Sequence, residues 1–345
     1  MYNLKYNLII LGVIMIKIGV DAMGGDFAPE ITVVGSMQAI KEFKDIEITL
    51  FGDEAKIRKY LTNEERIHIV HTEKFIDMGE HDPVAQIRKN RDSSMALALQ
   101  AAKDGLVDAV VSAGPTQCII VAAHIIVKKI PSMHRVALCP IIPSLDGNGR
   151  LLLDVGANVE LRPEHILELA LYASKLAKVV LNKENPKVGL VNIGVEEGKG
   201  REVDKETYEV LKNSRDINFV GNIEPKEMFM QDVDILVTDG FTGNILLKTI
   251  EGTAKVTGIM LKEEIKRNLR GKIGYLFLKS GLKRYKKRLD SSEVGGAMIV
   301  GVTTPVVKAH GSSDAYTFKN AIRQVRRIVE GNVISEVSNS LAKED

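Results

Sequence analysis

The chain has 345 residues, enough for one large domain or two ordinary ones. It is 45% hydrophobic and 27% charged, which excludes disorder as its main state. Two cysteines exclude a disulfide scaffold and a four-cysteine zinc site and suggest a reducing compartment, and a net charge of +2 argues against a nucleic-acid coat.

The apolar run from Leu8 to Ile14 continues to Ile16. It is shorter than the roughly 20 residues a spanning helix needs, and no small-residue cleavage site follows. Translation starting at Met15 is the plainer reading, with 1–14 an N-terminal extension and 15–335 the working domain. The first strand is expected at Ile16–Asp21. It leads into Asp21-Ala22-Met23-Gly24-Gly25-Asp26, the first of four strand-to-helix junctions of small and polar residues. Helix Ile31–Phe43 and strands Ile46–Gly52 and Ile67–His71 follow. The basic cluster from Arg88 to Ser94 feeds helix Ser94–Lys103; Arg fits phosphate bidentately and serine suits a cap. Strand Asp108–Ser112 opens the second junction, Ser112-Ala113-Gly114-Pro115-Thr116. Strands Val136–Ile142 and Leu151–Val155 precede helix Glu164–Leu181. Strand Val188–Ile193 ends in a glycine-flanked loop holding Lys199, where an ammonium can reach an anion. Helix Val203–Lys212 and strands Ile217–Val220 and Val233–Thr238 come next. The third junction, Asp239-Gly240-Phe241-Thr242-Gly243-Asn244, enters helix Asn244–Asn268. Strand Val306–His310 runs into the fourth, His310-Gly311-Ser312-Ser313-Asp314, ahead of helix Asp314–Glu330. Residues 336–345 read as a polar tail.

Apolar strands alternating with helices predict an α/β fold with a mostly parallel, doubly wound sheet. Such sheets bind ligands at the carboxyl ends of their strands. Free N–H groups and the dipole at helix starts favour anions there. Four junctions on one crevice would suit phosphate or a phosphorylated ligand. The candidate contacts are Asp21, Gly24, Gly25, Asp26, Arg88, Ser94, Thr242, Ser312, Ser313 and Asp314. His310 joins them because it ends a strand and opens a junction. No dinucleotide fingerprint follows a strand, and the stretch from Gly194 to Gly200 fails the Walker spacing. No metal site is expected: His68 and His71 point to opposite strand faces, and Cys118 and Cys139 read as buried thiols.

One stretch departs from this pattern, the basic arm 261–293. Leu261 to Asp290 holds eleven basic and three acidic residues, a local +8 that leaves −6 for the rest of the chain. It encloses an apolar patch from Ile273 to Leu278, and Gly271, Gly274 and Gly281 are expected to interrupt its helix. Leu276 and Phe277 with Lys283, Arg284, Lys286 and Lys287 would suit an anionic membrane or an acidic protein. The alternative is a solvated helix whose Leu and Phe pack on the body.

Five stretches then carry a resemblance: Val20 to Asp26, Leu153-Asp154-Val155-Gly156-Ala157-Asn158, Asn192-Ile193-Gly194, Asp239 to Asn244, and Lys308 to Asp314. In this order, across Met15 to Gly331, they resemble the phosphate acyltransferase family, the PlsX-type transacylases. The resemblance implies a Rossmann-like three-layer α/β/α fold related to isopropylmalate dehydrogenases and phosphotransacetylases. It implies a homodimer, cytoplasmic and peripherally attached to membrane, with no cofactor. It implies that fatty acyl groups pass from acyl carrier protein to inorganic phosphate. The acyl-phosphate then feeds phosphatidic acid synthesis through an acyl-phosphate-using glycerol-3-phosphate acyltransferase. By residue, the catalytic Lys and Asn of the family fall on Lys199 and Asn244, with His310 an optional proton donor. Three other readings stay open: a phosphotransacetylase-like enzyme acting on acyl-CoA, a dehydrogenase needing NAD and a metal, and a non-catalytic membrane scaffold that retains the fold. Pro115 and Gln117 depart from the family's Ser-Ala-Gly-Asn-Thr-Gly, and Val294 from its tyrosine. An Asn side chain and a glycine's freedom are thereby lost at one junction.

Overall fold

Among the described residues the β-branched runs form twelve strands in two sheets. The computed structural model describes residues 15–79, 82–289 and 293–341, with the backbone alone for 286–289. The expected extension 1–14 lies outside the described residues, as do the side chains of Lys286 and Lys287. The larger sheet holds β1 (Ile16–Asp21), β2 (Ile46–Gly52), β3 (Ile67–His71), β4 (Ala109–Ser112), β5 (Ala137–Cys139), β11 (Gly296–Val300) and β12 (Val306–Ala309). The smaller holds β6 (Ile141–Ile142), β7 (Arg150–Leu153), β8 (Lys187–Val191), β9 (Asn218–Ile223) and β10 (Ile235–Val237). The orders are β3-β2-β1-β4-β12-β11-β5 and β6-β7-β10-β8-β9. All pairs are parallel except those made by β11 and by β6.

This is the expected mostly parallel α/β architecture, with its strands divided between two sheets. The division falls inside the expected strand Val136–Ile142. Pro140 separates β5 from β6, and the two halves join different sheets. Proline has no N–H to continue a ladder. Strand β11, which begins at Gly296, was not expected.

The helices are α1 (Glu30–Glu42), α2 (Glu54–Arg58), α3 (Pro83–Lys89), α4 (Ser94–Lys103), α5 (Thr116–Ala122), α6 (Pro163–Val180), α7 (Glu202–Asn213), α8 (Gly240–Lys266), α9 (Leu269–Leu289), α10 (Ala315–Glu330) and α11 (Val333–Leu341). Helix α10 shows how pattern becomes packing. Phe318, Ala321, Ile322, Val325 and Ile328 form one stripe and are all buried, against α1 and β12. Each large side chain in that stripe contributes about 2 kcal/mol on leaving water. The expected polar tail is corrected as far as Leu341. Val333, Val337 and Leu341, spaced four apart, bury one face of α11.

The arm is a pair of helices, α8 and α9, that meet at the break between them, where Gly271 lies close to the Ile265 carbonyl. Helix α9 runs unbroken through Gly271, Gly274 and Gly281, so the expected interruption is absent there; the break falls at 267–268. Leu276 is 70% exposed and Phe277 83%, so neither packs on the body.

Candidate active site

Strands β1, β4 and β12 run parallel, so Asp21, Ser112 and Ala309 end together at one edge. Three junctions meet there. The N–H of Asp26 donates to the Gly311 carbonyl at 2.9 Å. Gly24 fits over the turn because a Cβ on it would overlap the Asp21 carboxylate and come within 2.8 Å of the Gly114 nitrogen. Asp21 is fully buried and accepts the hydroxyls of Ser94 and Ser112, each at 2.6 Å. Burial pushes its carboxyl up, and those hydroxyl bonds oppose the push. Asp21 and Ser94, expected as anion contacts, therefore fasten the junctions to one another. Asp314 is corrected in the same way. It caps α10 by accepting the N–H and hydroxyl of Thr317 at 2.8 and 2.7 Å, which hold its carboxyl low.

His310 stands at the mouth of this edge. The Ser312 N–H donates to its Nδ1 at 3.2 Å, and the Ser312 hydroxyl lies 2.9 Å from the same atom. Since Nδ1 accepts, Nε2 carries the proton of the neutral ring. Partial burial and the neighbouring Lys308 charge lower the pKa of the ring. Ser313 is buried, and its Oγ has no hydrogen-bond partner among the described residues.

The smaller sheet builds the facing wall. Buried Asp154 accepts N–H groups from Leu138, Gly156 and Ala157 on one oxygen, and the N–H and Nδ2 of Asn158 on the other, at 2.7–3.1 Å. The loop 154–158 is thereby shaped to receive the start of α8. The Gly240 N–H donates to the Asn158 carbonyl at 2.8 Å. A Cβ on Gly240 would overlap that carbonyl, and one on Gly243 would overlap the Asp154 carbonyl, so no side chain fits at either position. This contact sets Asn244 beside Gly156, where a Cβ would lie 2.6 Å from the Asn244 Nδ2. Asp239 caps α8 by accepting the Thr242 N–H at 2.7 Å, so Thr242 serves the cap. Burial pushes the Asp239 carboxyl up, but the Thr242 N–H and the Arg201 guanidinium outweigh it and hold it low. Arg201 bonds Asp239 at 2.6 Å and Asp204 at 2.9 Å, and both push its guanidinium up. Arg201 therefore ties the Lys199 loop to the start of α8. Asn192 holds the loop from below, donating to the Lys199 carbonyl at 3.0 Å. The Lys199 side chain is half exposed, and its Nζ is 3.9 Å from Glu196, a loose pairing that leaves it free to swing.

The walls meet across α8 and α5. Gln117 Nε2 donates to the Gly156 carbonyl at 3.3 Å. Asn244, Lys248 and Glu251 share one face of α8. Lys248 and Glu251 are charged neighbours of both Lys308 and His310. The crevice thus gathers Asn244, His310 and Asp26, with the Lys199 loop tied to its rim. Arg88 stands apart, in a separate groove with Arg91, Gln100, Lys103 and Ile125.

Two residues here escaped sequence reasoning. Arg201 gave no signal beyond its place next to the Lys199 loop. Lys308 did give one: it is a lone charge inside Val306-Val307-Lys308-Ala309. It is 9% exposed and makes no hydrogen bond or ion pair among the described residues. Burial, and then Lys248, pull its ammonium down to about 8.

Residues 16–336 match the model of a family described as fatty acid synthesis protein. A phosphate acyltransferase of Acholeplasma laidlawii is 47% identical over 333 residues, 96% of this chain and all of the relative. One from Anoxybacillus flavithermus is 45% identical over 95% of this chain and 99% of its own. The chain belongs to the phosphate acyltransferase family. It is accordingly an acyltransferase enzyme. Its fold is also that of a phosphotransacetylase from Streptococcus pyogenes, at TM-score 0.60 and 17% identity, covering 93% of this chain and 94% of that one. A branched-chain phosphotransacylase from Enterococcus faecalis aligns at TM-score 0.54 and 17% identity, over 91% and 99% of the two chains.

Proposed function

We propose that this phosphate acyltransferase moves a fatty acyl group from acyl carrier protein to inorganic phosphate, supplying acyl-phosphate for phosphatidic acid synthesis. The observation that carries the reading is the two-walled crevice with Asn244 fixed inside and the half-exposed Lys199 at its rim, in a chain of this family. A phosphate oxygen bonds to the thioester carbonyl carbon. The C–S bond then breaks, and the proton lost by hydrogen phosphate ends on the departing thiol. Thiols have a pKa near 8.5, so departure needs little acid help. Lys199 neutralises charge on the phosphate or the developing oxyanion, and Asn244 donates to that oxyanion. Neutral His310 offers its Nε2 proton as a hydrogen-bond donor. Holding the two reactants together supplies much of the remaining acceleration.

The arm is the second part of the proposal. Exposed Phe241, Ile245, Ile259, Met260, Leu276 and Phe277 along α8 and α9, with the basic side chains between them, suit an anionic membrane and a second copy of the chain. No described helix is long and apolar enough to cross a membrane, so attachment would be peripheral. The test is phosphate-dependent loss of acyl-carrier-protein thioester with formation of acyl-phosphate, run beside acyl-CoA. Activity on acyl-CoA alone would overturn the choice of substrate.

A further inference from the structure

The Lys199 and Asn244 assignments leave Lys308 and its neighbour Lys248 without a role. Lys308 lies at the end of β12, between Ser112 of β4 and Ala297 of β11. That is the middle of the sheet, in the row of the buried Ser112 and Asp21, which are bonded to each other. Lysine is almost never buried unless it is paired, and desolvating its ammonium costs stability. Lys308 nevertheless has no hydrogen-bond or ion-pair partner among the described residues. The Ser313 hydroxyl, on the junction that β12 opens, is buried and has no hydrogen-bond partner among the described residues. The charged groups around Lys308 come from each packed element: Lys248 and Glu251 of α8, Asp26 of the first junction, and His310. Glu251 is occupied by Lys248 at 3.6 Å. A largely buried lysine without a partner, on the strand that leads into the junction of the unpartnered Ser313 hydroxyl and with a second lysine as its charged neighbour, offers the charge and the hydrogen-bond donors that a small tetrahedral anion takes.

The geometry points to Lys308 as the residue that binds the acceptor phosphate, with Ser313 beside it and Lys248 at the rim. This assignment rests on the proposed phosphate-dependent reaction and deepens it, separating the roles of the two lysines. Lys308 holds the acceptor in both ground and transition states. Lys199, on its exposed loop, meets charge as the reaction develops. Interactions equal in the two states appear in KM, and those made only in the transition state appear in kcat. Because the free-enzyme ammonium titrates near 8, phosphate binding should weaken as pH rises through that value and the charge is lost.

The test uses the full chain with Lys308→Met, Lys308→Gln and Lys308→Arg. Methionine keeps the volume and removes the desolvated charge, so Lys308→Met should melt at or above the wild-type temperature. A lysine kept for packing would give a lower one. Binding of inorganic phosphate, measured by calorimetry without acyl substrate, should fall at least about tenfold in Lys308→Met and Lys308→Gln, the usual scale for one charge-assisted bond. The phosphate KM should rise in step, with the KM for acyl carrier protein unchanged. Lys308→Arg should keep phosphate binding and lose the weakening near pH 8, because guanidinium stays charged. Wild-type phosphate affinity and an unchanged pH profile in a folded Lys308→Gln protein would overturn the assignment. If phosphate binds in a Lys308-dependent way but wild-type protein transfers no acyl group from acyl carrier protein, the anion seat stands and the proposed reaction falls.

Discussion

Replacing Leu276 and Phe277 with Glu tests the arm. In the free protein these side chains are 70% and 83% exposed, so the double substitution disturbs no packing. Exposed substitutions of this kind stay within about 0.5 kcal/mol of wild-type stability. On entering an acyl layer each side chain would gain on the order of 2 kcal/mol. Losing both amounts to about 4 kcal/mol, a fall of roughly a thousandfold in membrane partitioning. The basic side chains add about 1 kcal/mol each near an anionic surface. They remain in this variant, so a weak, salt-sensitive association should survive. The assay is co-sedimentation with anionic phospholipid vesicles at two salt concentrations, beside melting and turnover on soluble acyl carrier protein. The expected result is release from vesicles with melting and soluble turnover intact. Charge reversal at Lys283 and Arg284, both exposed, should instead weaken binding most at low salt, where screening is least. Full sedimentation of Leu276→Glu/Phe277→Glu would refute the membrane reading. So would loss of soluble turnover, which would place these side chains in the acyl groove.

Lys199→Ala should lower turnover by roughly 10²–10³ with melting unchanged, since the side chain packs little; near-normal rates at saturating phosphate would remove it from the chemistry. Asp21→Ala strands the buried hydroxyls of Ser94 and Ser112, and should cost about 2–4 kcal/mol, read as a drop of several degrees in melting temperature. A change in rate without a change in melting would show Asp21 acting on substrate after all. Pro115→Asn with Gln117→Gly restores the family's residues but removes the Gln117 bond to Gly156. The fold should survive with a loss near 1 kcal/mol and activity kept or raised; abolished turnover would mean that this junction is co-adapted to its own residues.

The outline of the fold was legible in the sequence because its strands are mostly short apolar, β-branched runs alternating with helical patterns. Strands β1, β2 and β3 fall where the β-branched pattern puts them. The assignment of strands to sheets was not legible, since Pro140 marks a break without saying that its two sides go to different partners. The candidate site divides along a similar line. Gly24, Gly240 and Gly243 were readable because close backbone approach demands glycine. Asp21 and Asp314 were read as belonging to junctions and Ser94 as part of a basic cluster at a helix start, but none of them as a fastener. A carboxylate that binds an anion's partner and one that accepts neighbouring hydroxyls look the same in one dimension. In α9, Gly271, Gly274 and Gly281 misled because an intrinsic cost of about 1 kcal/mol per glycine does not by itself end a long helix.

Helix α8 gives the enzyme a lever. At 1.5 Å per residue its 27 residues span about 40 Å. Its fulcrum is the glycine contact with the loop 154–158, and Asn244 sits about 6 Å from that fulcrum, four residues along. By proportion, a sideways push of about 4 Å at the far end turns the rod through about 6° and carries Asn244 by about 0.6 Å. Misplacement on the scale of 1 Å can cost a hundredfold in rate. Whatever grips the arm would therefore have mechanical purchase on Asn244: a displacement of several ångströms at the exposed end arrives at that side chain as a fraction of one, on the scale that the proposed chemistry would register.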